Sequence, residues 1–197
     1  MRTRTVITIA VVTLAILAVA LVLSGCGGGP TTYTNAKYNF SLVYDSSVLQ
    51  ETTNASSSST AGASSVFEVA FADPNGTKIG GKARDGMLVS VYKLNTTITP
   101  AMMPLVQKEL ERIIPQLEQG LGKNASISAI QPVTVNGTNG FQASAKYTEG
   151  GTAFKADLYF LISGDLEYQL QCQSAVSAWG KMQPYFKDMV ASFKVTK

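Results

Sequence analysis

The chain has 197 residues, 45% of them hydrophobic, with 16 basic and 13 acidic side chains and no histidine. Two of the bases, Arg2 and Arg4, lie ahead of an N-terminal apolar run, so the remainder carries 14 bases against 13 acids and lacks the charge excess that a nucleic-acid face needs. The commonest general base and metal ligand is missing, and two cysteines, Cys26 and Cys172, make no disulfide framework.

In chain order, Arg2 and Arg4 head the run Val6–Leu23, 18 residues long, which closes on Leu23-Ser24-Gly25-Cys26. A basic start, an apolar middle and small residues at the end read as a secretory signal. The tetrapeptide resembles the lipobox of bacterial lipoproteins. That resemblance implies removal of residues 1–25, lipid on Cys26, and a lipid anchor on the extracytoplasmic face of the cell membrane. The competing reading is an uncleaved transmembrane helix, since ~20 apolar residues cross a bilayer. Gly27, Gly28, Gly29 and Pro30 end the run abruptly, and no Lys or Arg follows until Lys37, which favours cleavage. One acyl chain holds a membrane marginally; the diacylglyceryl cysteine of lipoproteins supplies two. Residues 26–36 then read as a flexible tether and residues 37–197 as a single domain.

Within that domain, Tyr38–Tyr44 alternates as a strand, Thr52–Ser65 holds only small and polar residues and reads as a mobile loop, and Val66–Phe71 is strand again. Asp73-Pro74-Asn75-Gly76 is a turn sequence. A glycine-rich loop with Lys78, Lys82 and Arg84 leads to the strand Met87–Leu94. Thr99 and Pro100 open a helix whose stripe is Met102, Val106, Leu110, Ile113, Leu117 and Leu121, with Pro115 as a kink. Strands follow at Ile127–Val135, Gly140–Tyr147, Ala153–Ile162 and Leu166–Cys172, joined by short turns at Asn136–Asn139, Thr148–Gly151 and Ser163–Asp165, and therefore antiparallel neighbours. Glu167, Gln169 and Gln171 lie opposite the apolar face of the last strand. Tyr159 and Leu161 mark the strand Ala153–Ile162 as covered on both sides. A helix from about Ser177 presents Trp179, Met182, Phe186, Met189 and Phe193.

Strands, long helix, antiparallel meander and closing helix make an α+β, three-layer α/β/α sandwich, mainly antiparallel, with one helix on each face. Three stretches, Tyr38–Tyr44, Val133–Phe141 and Trp179–Phe193, resemble the PsbP-like superfamily, which includes the DcrB and LpqN lipoproteins. The resemblance implies a non-enzymatic binding or assembly module, because PsbP proteins are extrinsic, non-catalytic photosystem subunits and a eukaryotic relative binds the Ran GTPase; the domain is expected to be monomeric. It carries over no site residues, no cofactor and no metal. The expected partners are membrane lipid through Cys26, from the lipobox resemblance, and an unknown envelope protein or complex.

Four groups of residues invite a sharper reading. Gly76–Ala83 nearly matches the phosphate-binding loop, but Ala83 stands where the magnesium-binding hydroxyl is needed and a strand follows instead of a helix. Ser90-Val91-Tyr92-Lys93 matches the S-x-x-K of penicillin-binding enzymes; a hydrolase using Ser90 and Lys93 requires them on a helix, whereas residues three apart on a strand point to opposite faces. Cys172, with no histidine to activate it, reads as an inert thiol on an apolar face. Met102, Met103, Met182 and Met189 are the candidates for an apolar ligand pocket between sheet and helix. The docking surface of choice is the loop with Lys78, Lys82 and Arg84, where cations concentrate on a near-neutral chain.

Overall fold

The computed structural model describes residues 28–196, apart from 55–58, 61–62 and 123, with the backbone alone described at 53–54, 59–60 and 63–64. The signal segment and Cys26 lie outside the described residues. In chain order the elements are β1 (Pro30–Asn35), β2 (Phe40–Asp45), β3 (Gln50–Asn54), β4 (Ser59–Thr60), β5 (Ala63–Ser64), β6 (Phe67–Ala72), β7 (Lys78–Ile79), β8 (Lys82–Ala83) and β9 (Gly86–Ile98). A 3₁₀ turn (Pro100–Met102) then leads into α1 (Met103–Leu121), followed by β10 (Ser126–Ile127), β11 (Gln131–Val135), β12 (Thr138–Glu149), β13 (Thr152–Ala175), α2 (Trp179–Ser192) and β14 (Lys194–Val195).

The main sheet runs β10-β12-β13-β9-β6-β3, with β11 also on β12, and its pairings are antiparallel. β13 is a continuous extended run of 24 residues. Laid straight it would span roughly 80 Å at 3.3 Å per residue. Its ends nonetheless meet: the Val176 N–H donates to the Ala153 carbonyl at 2.8 Å. The run therefore folds back on itself at Gly164, where φ is +65° and the register shifts. The first arm (152–161) pairs with β12 and the second (164–173) with β9, which is the meander expected from the sequence. Two-residue turns at Asn136-Gly137 and Gly150-Gly151 close the other hairpins. All four residues have positive φ, the geometry whose twist matches paired strands.

Two cores result, one on each face of the sheet. α1 buries Val106, Leu110, Ile113, Leu117 and Leu121 against Phe141, Ala143, Ala145 and Tyr147 of β12 and Phe154, Ala156, Leu158 and Phe160 of β13. The second core holds Met182, Phe186 and Met189 of α2 with Phe193, Phe40 and Leu42 of β2, and the opposite-facing residues of β6, β9 and the second arm of β13. This is the three-layer sandwich, with one addition: a small sheet, β1-β2-β14, shares the layer of α2.

Several expectations need correction. Residues 30–35, read as tether, form β1, because Pro30–Asn35 bonds the edge of Phe40–Asp45 that β14 leaves open. The stretch 52–54, read as mobile loop, is the end of β3 and pairs with β6. The single strand expected at 127–135 is two, β10 and β11, both on β12. Thr99 supplies a backbone carbonyl to the 3₁₀ turn and no side-chain cap. β14 was not anticipated. No helix among the described residues is long and apolar enough to cross a membrane.

Candidate functional site

The hairpin β7-β8 is built on a two-residue turn, Gly80-Gly81, both with positive φ (58° and 77°). Glycine adopts these angles without steric cost. The turn closes the loop on itself and leaves no phosphate cradle ahead of a helix, so the near-match to a nucleotide loop has no structural counterpart. Lys78, Gly80, Gly81 and Lys82 are exposed.

Arg84, grouped with those lysines by sequence, is not part of the exposed loop. It is buried, and its guanidinium pairs with Glu149 Oε1 at 2.6 Å on the far turn of the β12–β13 hairpin. Its neighbour Asp85 is 1% exposed and accepts from the backbone N–H of Thr77 (2.7 Å) and of Ala175 (2.8 Å). Ala83 packs with Ala70, Ala72 and Leu88. Charge pairing, backbone capture and apolar contact thus fix the root of the hairpin while its tip stays in water.

The root continues into a buried polar band. After the reversal at Gly164, the odd residues of the second arm of β13 face the α1 side of the sheet but lie beside the footprint of α1. They are Glu167, Gln169, Gln171 and Gln173, all buried. Cross-strand register adds Ser90 and Tyr92 of β9 and Glu68 of β6. Gln173 accepts from the Tyr147 hydroxyl at 2.9 Å and donates to the Arg84 carbonyl at 2.8 Å. Gln169 donates to Glu167 at 2.8 Å, and Ser65 to Glu68 at 3.0 Å. Sequence alternation read this arm as apolar on one face and polar on the other, but gave no sign that the polar face would be covered as well. The signal available was the repeat Glu-x-Gln-x-Gln-x-Gln: amides with both donors and acceptors bond one another where lysines would need water.

Ser90 and Lys93 do not meet. Ser90 is 3% exposed within the band, while Lys93 points the other way and pairs with Asp165 at the surface. The serine–lysine hydrolase reading is thereby overturned on geometry. Cys172 is fully buried in the α2 core, and burial pushes its thiol up. Met182 and Met189 are core residues; Met103 lines an open groove of about 480 Å³ with Pro100, Pro104, Val133 and Phe141. Among the described residues no three metal-ligating side chains gather.

Burial also raises Tyr92 and Tyr147, with Glu68 and Glu167 adding to the effect at Tyr92 and Glu149 at Tyr147; Tyr159 and Tyr168 are pushed up to about 12. Each phenol is held neutral when folded and ionises near pH ~10 when unfolded, so the stability tied to it is fully present below that pH and lost as pH rises from there through the raised folded value, about 12 for Tyr159 and Tyr168. In an alkaline titration, absorbance at 295 nm is expected to show these four tyrosines ionising in one cooperative step together with loss of near-ultraviolet circular dichroism. Ionisation of all 8 tyrosines in a shallow curve near pH ~10, with the dichroism intact, would contradict their burial.

No family model matches the sequence, and no curated protein matches it. Solved structures do resemble the fold. The cyanobacterial PsbP (CyanoP) of Synechocystis is 15% identical with a TM-score of 0.54, over 88% of this chain and 98% of its own. A protein of Bacteroides thetaiotaomicron is 13% identical with a TM-score of 0.52, over 86% of this chain; the match spans 49% of that protein's length. LpqN of Mycobacterium tuberculosis, described as involved in cell envelope biogenesis, aligns at 12% identity and a TM-score of 0.49, over 88% of this chain and 87% of its own. The fold is PsbP-like.

Proposed function

We propose that this chain is a non-enzymatic binding module of the cell envelope, held at the membrane by lipid on Cys26, which docks to a protein partner through the tip of the β7-β8 hairpin. The observation that carries the docking surface is the contrast within the eight residues from Lys78 to Asp85. Lys78 and Lys82 are exposed on a tight turn, whereas Ala83, Arg84 and Asp85 are buried and bonded. A charged tip on an immobile base loses little conformational freedom on binding, and cations there steer an acidic partner. The PsbP-like fold supports the reading by likeness to a fold that serves as an accessory subunit.

The test is in-cell crosslinking of wild type, Lys78→Ala/Lys82→Ala, and the charge-matched control Lys108→Ala/Lys187→Ala. Arg84 is left intact because its loss would damage the base. Capture of the partner should fall several-fold, and lose salt sensitivity, only in the hairpin variant. Equal capture by all three removes this hairpin as the docking surface. A parallel Cys26→Ser chain should no longer take up labelled fatty acid; undiminished labelling refutes the anchor.

The groove of about 480 Å³ lined by Met103, Pro104, Val133 and Phe141 favours a second reading, carriage of a small apolar ligand between helix and sheet. Co-purification of a lipid-like molecule that Pro104→Asp, at an exposed wall of the groove, excludes would support it over protein docking.

A further inference from the structure

On the sheet face opposite α1, α2 leaves uncovered a strip along β12 and the first arm of β13. Gln142, Ser144 and Lys146 are exposed there, and Lys155, Asp157 and Tyr159 half-buried. Two grooves of about 460 and 260 Å³ run along the strip and share Ser128, Ser144 and Asp157. Trp179 and Gln183, from the first turns of α2, line the larger one.

Lys146 and Lys155 both line that larger groove, and they are direct cross-strand partners. Side chains so placed start about 5 Å apart, and like charges directly opposite destabilise a sheet. Neither ammonium has an ion-pair or hydrogen-bond partner among the described residues. The one carboxylate of the groove, Asp157, accepts from the Ser144 hydroxyl at 2.7 Å and pairs with neither lysine. At the start of α2 two buried carboxylates already stand close, Asp73 on Lys181 at 3.1 Å and Asp85 on the Ala175 N–H at 2.8 Å, so the positive charge left over in the groove is that of the two lysines. Two like charges thus face each other across the strands where folding gains nothing from them, and a bound oxyanion supplies the missing counter-charge. Around it lie the side chains of Trp179, Ser126 and Gln183. A planar apolar wall bordered by donors and acceptors is the surface that a sugar ring presents its own faces and hydroxyls to.

We propose that this groove binds an acidic saccharide, its carboxylate or phosphate between Lys146 and Lys155 and its ring against Trp179. The site lies apart from the β7-β8 hairpin and does not depend on protein docking there.

Trp179 is the single tryptophan of the chain, so fluorescence excited at 295 nm, beyond tyrosine absorption, comes from this one side chain on the groove wall. The full-length protein in detergent is titrated with tetragalacturonate, glucose 6-phosphate, inorganic phosphate and neutral maltotetraose. A saturable change with tetragalacturonate or glucose 6-phosphate is expected, and none with maltotetraose; which acidic sugar acts separates carboxylate from phosphate recognition. Lys146→Ala/Lys155→Ala should weaken binding at least tenfold and flatten its salt dependence, while melting at or above the wild-type temperature because the repulsion is gone. Silence towards both acidic sugars, a response to inorganic phosphate only, an unchanged affinity in the double variant, or a lowered melting temperature for it each overturns the proposal.

Discussion

Phe160→Ala should lower the stability of this protein by about 3–5 kcal/mol, the range for truncating a buried aromatic ring. Phe160 is 2% exposed, lies on the first arm of β13 opposite Phe141, and belongs to the core beneath α1. The magnitude depends on whether the surroundings collapse into the space left behind. Here they are held. β12 and the first arm are paired without interruption from Gly140–Leu161 to Glu149–Thr152. A Cβ added at Gly140 would sit 2.1 Å from the Phe160 carbonyl oxygen, so the two backbones are already as close as glycine permits. For a domain of this size each kcal/mol moves the melting temperature by about 2–4 °C. A variant melting within a degree or two of wild type would show that this strand is not the centre of the sheet.

Arg84→Ala should cost about 3 kcal/mol, towards the lower end of what removing one partner of a buried ion pair does. The side chains of Arg84 and Glu149 are 9% and 17% exposed, so the carboxylate left behind has little water to replace the guanidinium. Glu149 Oε2 already has no hydrogen-bond partner among the described residues, which leaves the Arg84 contact as the main compensation for that charge. Replacing both ends, Arg84→Met with Glu149→Leu, should restore most of the loss, because an apolar pair avoids the desolvation that the ion pair must offset. The double-variant cycle, followed by urea unfolding, separates the pairing from the packing of the arginine stem. An Arg84→Ala protein as stable as wild type would return Arg84 to the exposed surface where its sequence neighbours Lys78 and Lys82 lie.

Much of this fold was legible in the sequence because the relevant physics is local. The stripe from Val106 to Leu121 repeats every three or four residues and became the buried face of α1. Asn136-Gly137 and Gly150-Gly151 favour positive φ and closed their hairpins in two residues. Gly164 turned the chain between Ile162 and Leu166 although the backbone stays extended on either side. The opposition of Ser90 and Lys93 followed from strand alternation alone, and so did the apolar side of Cys172.

The candidate sites were less legible. Composition put Arg84 with Lys78 and Lys82, since one short stretch holds all three. The fold divided them, because Glu149, 65 residues away, offered Arg84 a carboxylate out of water. Residues 30–35 looked like tether, having too little apolar content to bury a face, but an edge strand needs only a partner with open backbone groups. The cross-strand pair Lys146 and Lys155 became visible only with the register of β12 on β13. By itself the sequence determined which residues share a face of each helix or strand, because side-chain direction repeats with the local backbone. Only the tertiary structure decided which faces are covered, as at Glu167, Gln169, Gln171 and Gln173, because coverage depends on where distant segments settle and local periodicity holds no record of that.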